Sequence, residues 1–195
     1  ACNKVRETDH ATVQHIWIDT ICIDKSNAQE LSTSINSMFR WYKNAEVCYI
    51  YLFDVSWDGS NNSSFRDQFL RSEWFLRGWT LQELLAPKQL RFFDRDWKYI
   101  GSKDDLVAEI ANATHIETEH LLGNFRSASL AQKMSWLAGR TTTVIEDRAY
   151  CMLGIFGIYL EARYGQGEDE FLRLQEEILR NWDKEEPFDE SLFAW

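Results

Sequence analysis

Apolar and polar positions fall along the chain in blocks that read as distinct elements. The run His15-Ile16-Trp17-Ile18-Asp19-Thr20-Ile21-Cys22-Ile23 is β-branched, aromatic and nearly continuous in its apolar character. That pattern predicts a strand covered on both faces. Ser26 followed by Gln29 reads as a capping box, and Leu31, Ile35, Met38, Phe39 and Tyr42 then recur at helical spacing, so an amphipathic helix is expected from about Ala28 to Lys43. Glu46 to Leu52 is a second apolar, aromatic run. The order strand, helix, strand predicts a βαβ unit with a parallel sheet and a right-handed crossover.

Asp54 to Ser64, with Gly59 and two asparagines, has turn residues and no periodicity, and is expected to be a mobile surface loop. Ser72 to Pro87 reads as a turn entering a short helix that Pro87 stops, and Gln89 to Phe93 as a further strand. From Ser102 onward the signals are helical. Ser102 with Asp105 and Thr143 with Glu146 resemble caps, and Phe171, Leu174, Ile178 and Trp182 stripe a last helix. The fold class expected is α/β: a parallel sheet flanked by helices, with a helical C-terminal half. The only weak boundary, near Trp97 to Gly101, divides a core over 1–98 from a helical extension over 99–195 that packs on it.

Composition narrows the function classes. A chain of 195 residues can bury a sizeable interior without a disulfide or a metal. Cys2, Cys22, Cys48 and Cys151 form no CxxC pair, and three of them lie in apolar runs, so they read as reduced core thiols of an intracellular, cytoplasmic protein. No run approaches the roughly 18 apolar residues of a membrane span, and no signal segment opens the chain. A net charge of −10 argues against nucleic-acid binding, since the richest basic stretch, Arg91 to Lys98, is interleaved with Asp94 and Asp96. His10, His15, His115 and His120 have no metal-ligand spacing, so no metal is expected. The Asn-x-Ser/Thr triplets at Asn61, Asn62 and Asn112 are assigned no role. Ser72 and Ser135 lack a nucleophile-elbow context, and there is no glycine-rich phosphate loop.

Three segments carry a family resemblance: Trp17 to Asp24 (WIDTICID), Trp74 to Pro87 (WFLRGWTLQELLAP) and Glu146 to Phe156 (EDRAYCMLGIF). In this order, with Met38, Tyr42 and Ala45 between the first two, they resemble the heterokaryon-incompatibility (HET) domain of fungal cell-death proteins. The resemblance extends through Tyr164-Gly165-Gln166-Gly167 and Leu174-Gln175. It implies an effector of non-self recognition and programmed cell-death signalling, working through protein partners or self-association driven by a sensor domain. Family members usually begin with a further strand and a loop resembling Leu-Ser-His-Thr-Trp. Its absence here implies a sheet short of one strand, and leaves open an inactive truncated copy.

HET domains in turn resemble, remotely, the Toll/interleukin-receptor (TIR) fold, some of whose members hydrolyse NAD. Trp79-Thr80-Leu81-Gln82-Glu83-Leu84 is similar to the TIR segment bearing a catalytic glutamate, which makes Glu83 the candidate catalytic residue and NAD a possible substrate, with no cofactor. Cleavage of a ribosyl–nicotinamide bond builds oxocarbenium character that one fixed carboxylate can stabilise. The alternative for Glu83 is a solvated carboxylate near a helix N-terminus. Asp19, at the end of the expected first strand, either lines a ligand site there or pairs with Arg77 or Arg148. Arg77-Gly78-Trp79 reads either as a phosphate clamp with a stacking ring or as a core Trp79 with Arg77 paired to Asp19 or Glu146. Asp24 reads as a loop or capping residue, and Glu146-Asp147-Arg148 as structural.

Overall fold

A computed structural model describes residues 13, 15–60, 62–181 and 189, so the expectations for Cys2, His10, Asn61 and Trp182 lie outside the described residues. The first apolar run is not a strand. Asp19–Cys22 forms a single helical turn, α1, closed by Ile21 and Cys22 N–H groups donating to the Ile18 carbonyl. A strand buried on both faces needs neighbours, yet Ile16 and Ile21 are 40% and 77% exposed. A short apolar run carries no periodicity that separates the two states, and here the local turn wins.

Helix α2, Ala28–Asn44, forms as its periodicity requires, with Ile35, Met38 and Phe39 on the buried face. Its cap is Asn27 and not Ser26: the Asn27 side chain accepts from the N–H groups of Gln29 and Glu30. Ser26 is held instead by Asp24, whose Oδ1 takes both its N–H (2.9 Å) and its hydroxyl (2.6 Å).

Strand β1, Cys48–Tyr51, pairs parallel with β2, Leu90–Phe93, and β2 pairs antiparallel with β3, Tyr99–Ser102, in the order β1-β2-β3. The sheet is therefore mixed, not parallel as expected. The crossover joining the parallel pair follows β1 and does not precede it. It consists of α3, Ser63–Leu70, a 3-10 turn, Glu73–Leu76, and α4, Thr80–Leu85, with Pro87 just beyond. Asn62 caps α3, so the expected loop is ordered into a helix start from Asn62 on. The β2–β3 turn is built on Asp94, fully buried, whose carboxylate accepts from the N–H groups of Trp57, Asp96 and Lys98 at 2.9 Å each.

Beyond the sheet lie α5, Val107–Thr114, a π-helical turn, His120–Asn124, α6, Leu130–Ser135, α7, Asp147–Tyr150, α8, Leu153–Phe156, and α9, Asp169–Arg180. Ser102 and Asp105 do bond reciprocally ahead of α5. Thr143 does not cap α7: the Glu146 carboxylate reaches across the chain to the N–H groups of Gly165 (2.7 Å) and Gly167 (2.9 Å). One apolar cluster spans both halves, joining Phe69, Leu81, Leu84 and Phe92 to Ile110, Leu121, Met134, Leu153 and Leu174. Cys48 and Cys151 are free thiols within or at its edge, whereas Cys22, expected in the core, is exposed.

Candidate functional site

The second signature segment is locked to the third before it positions anything. Gly78 donates its N–H to the Thr141 carbonyl (2.9 Å) while Thr141 donates to Leu76 (2.7 Å). A Cβ on Gly78 would stand 2.6 Å from Thr142 Cγ2 and 3.2 Å from Cys151 Sγ, so the close approach requires glycine. The buried Arg140 guanidinium completes the lock, its Nη1 donating to the Arg77 carbonyl (3.0 Å) and Thr80 Oγ1 (3.1 Å) and its Nε to Trp136 O (3.0 Å). Burial lowers Arg140 to about 10, which still leaves it a cation at neutral pH.

This frame sets Glu83 on α4 against Tyr42 of α2, whose hydroxyl donates to Glu83 Oε1 at 3.2 Å. Burial is the largest influence on Glu83 and raises its pKa above the usual 4.5; the charge of Asp19 pushes in the same direction. The Tyr42 hydrogen bond, the Arg77 charge and a side-chain hydrogen bond from Trp74 act the other way, but do not cancel the rise. Tyr42 is itself pushed up by burial and then by Glu83, so its phenol stays a donor. Trp17 packs on Tyr42, with ring centroids 5.5 Å apart, and on Trp41 at 5.3 Å. On the far side Cys48 feels the Glu83 charge and that of Lys103, a buried lysine whose Nζ donates to Leu84 O at 3.4 Å. Desolvation raises the Cys48 thiol and lowers the Lys103 ammonium.

Of the four residues singled out in sequence, Glu83, Asp19 and Arg77 thus lie within one electrostatic neighbourhood. Trp79 is directed elsewhere: its indole N–H donates to Asp147 Oδ2 (3.0 Å), tying α4 to α7. The ion pairs offered as alternatives do not form among the described residues. Glu146 is taken up by Gly165 and Gly167, and Arg148 stacks over Phe171. Glu83 is not solvated; it is half-buried and bonded. Sequence reasoning placed Tyr42 in a helical stripe and in the family resemblance but gave it no site role, though a hydroxyl at the end of an apolar stripe is itself a sign of a buried acceptor nearby. Trp74, Cys48 and Lys103 gave no such sign.

A carboxylate held partly out of water, with a neutral donor on one oxygen and a second acid close by, retains a proton above the ordinary range, or, ionised, stabilises a developing cation. An open concavity lies elsewhere, along Ala111 and His115 to Glu119.

Comparison with known proteins places these observations. The family described as "Heterokaryon incompatibility protein (HET)" matches residues 1–63. "Vegetative incompatibility protein HET-E-1" of Podospora anserina is 46% identical over 167 residues, 83% of this chain. The chain spans only 12% of the length of that curated relative. No solved structure matches. With the family match at the N-terminal stretch and this identity over most of its length, the chain belongs to the heterokaryon-incompatibility (HET) family.

Proposed function

We propose that the chain is the effector module of a fungal heterokaryon-incompatibility protein, acting in non-self recognition and programmed cell-death signalling. The observation that carries this is the 46% identity to a vegetative incompatibility protein over 83% of the chain. The module works in the cytoplasm through protein partners, or through self-association imposed by a sensor domain of its parent protein. Among the described residues no helix is long and apolar enough to cross a membrane, which fits this role. Induced expression in fungal cells, as the chain alone and fused to an oligomerising tag, tests it. Loss of viability with the clustered form supports the reading, and normal growth with folded, clustered protein overturns it.

A second reading is supported by the Glu83 environment: a TIR-like NAD glycohydrolase. In it, the bond from ribose C1′ to the nicotinamide nitrogen breaks, its electron pair leaves with nicotinamide as a neutral base, and water supplies the hydroxyl to C1′ while its proton passes to solvent. Glu83, ionised, faces the oxocarbenium carbon, Tyr42 fixes the carboxylate, and Asp19 and Arg77 line the approach, whereas Trp79, bonded to Asp147, does not. Incubation with NAD tests this through nicotinamide release. Release abolished by Glu83→Gln supports it, and cell killing that persists in Glu83→Gln removes it while leaving the first reading in place.

A further inference from the structure

We propose that Glu117, Glu119 and His120 form a binding site for a first-row divalent cation of the zinc or manganese class. His120 is 3% exposed, and its ring packs on Trp136, with centroids 5.6 Å apart. Its Nδ1 lies 3.1 Å from the Asn124 carbonyl oxygen. A carbonyl can only accept, so Nδ1 carries the hydrogen, and a cation at the other nitrogen would take the lone pair of Nε2. Nε2 points at two carboxylates, Glu119 Oε1 at 3.7 Å and Glu117 Oε2 at 3.9 Å. Both distances are too long for a hydrogen bond, and among the described residues Nε2 has no hydrogen-bond partner.

One possible ligand atom from each of the three residues thus lies within 4.8 Å of the other two. A cation bonded to each at about 2.0–2.2 Å would satisfy all three after a small contraction. The backbone carbonyl on the far nitrogen is the usual outer partner of a metal-bound imidazole, fixing tautomer and ring plane. An imidazole with two carboxylates favours zinc or manganese over calcium or magnesium, which prefer oxygen alone. Glu117 and Glu119 also line the open concavity of about 590 Å³ with His115 and Thr118, so a bound ion would keep a coordination position facing solvent. The ligands come from the buried first residue of a π-helical turn and two exposed acids before it, a set that histidine-to-histidine spacing does not detect.

Calorimetric titration of the purified chain with zinc chloride tests this, with magnesium chloride as the control. One zinc ion per chain in the micromolar range is expected, with no saturable magnesium binding. The double variant Glu117→Gln, Glu119→Gln changes two exposed side chains and leaves the core untouched, and should weaken zinc by about tenfold or more. No saturable zinc binding by the folded wild type overturns the proposal and leaves a histidine–glutamate ion pair. Equal zinc binding by the double variant also overturns it, and places the ion elsewhere, for example at the exposed Cys22 thiol.

Discussion

The Tyr42 hydroxyl lies 3.2 Å from Glu83 Oε1, and this contact joins the amphipathic helix of the N-terminal part to the short helix of the second signature segment. Together with a side-chain hydrogen bond from Trp74, it gives a neutral donor to a carboxylate already pushed toward protonation by burial and by Asp19. The bond holds the carboxylate in one place while the surroundings disfavour its charge. That combination is the signature of a tuned group.

Tyr42→Phe removes the donor and leaves the ring packing with Trp17 intact. A hydrogen bond to a charged acceptor contributes about 1.5–3 kcal/mol, so a loss of that order is expected at neutral pH. Glu83 should also titrate at higher pH than in the wild type, because the lost bond opposes its rise. Denaturant unfolding and carboxyl NMR titration measure the two effects.

Glu83→Gln should give a stability difference that depends on pH in a defined direction. The folded-state pKa of Glu83 lies above its ordinary 4.5, so its contribution is fully present below that value and is lost as pH rises through the folded pKa. The variant has no such loss. Unfolding curves should show Glu83→Gln gaining on the wild type from about pH 4.5 upward; a constant difference between acid and neutral pH would contradict the assigned burial.

Glu146→Gln should show the opposite sign. Its carboxylate is held by backbone N–H groups, Gly167 most strongly and Gly165 also, and its folded pKa is depressed below 4.5. That stability is present above 4.5 and is lost as pH falls through the folded value. The wild type should therefore hold its advantage at neutral pH and surrender it in acid. Measuring both variants in one pH series separates the two carboxylates by sign alone.

How much of this was legible follows from range. The stripe from Leu31 to Tyr42 predicts α2 because helical periodicity is local, and Pro87 marks the end of α4 for the same reason. Ser26 and Asn27 are both good caps, and only the bond of Ser26 to Asp24 decides between them. The run from His15 to Ile23 has strand composition, but composition does not supply the partner strand. Glu146 reaches Gly165 and Gly167, and Tyr42 reaches Glu83, over separations that no window of sequence spans. The resemblance singled out Glu83, and local chemistry Asp19, Arg77 and Trp79; neither could say that Trp79 turns to Asp147.

Gly154→Ala should be among the most disruptive single methyl additions. Its Cβ would overlap the Phe39 side chain, with Cβ and Cγ as the first atoms met and Cδ2 at 2.6 Å, at the contact of α8 with α2. Phe39 is buried and its Cβ is fixed to the helix backbone, so the ring cannot swing clear. Overpacking of this kind costs about 1–3 kcal/mol and sometimes more. A midpoint of thermal unfolding equal to that of the wild type would show that α8 shifts freely.

Gly78→Ala probes the lock between the second and third signature segments, and its cost should be reversible by design. The added methyl meets Thr142 Cγ2 at 2.6 Å before it meets Cys151 Sγ at 3.2 Å. Alone, the substitution should destabilise by about 1–3 kcal/mol. Thr142→Ser removes that Cγ2 and keeps the hydroxyl that donates to Val144 O at 2.7 Å. In the Thr142→Ser background the cost of Gly78→Ala should fall by roughly half or more, a coupling of about 0.5–2 kcal/mol between residues in contact. Because Gly78 stands between Arg77 and Trp79, the same wedge displaces the Arg77 charge from Glu83. The pKa of Glu83 should therefore rise in Gly78→Ala and return toward the wild-type value in the double variant. Additive stability losses with an unmoved Glu83 titration would show that the lock and the Glu83 neighbourhood are independent.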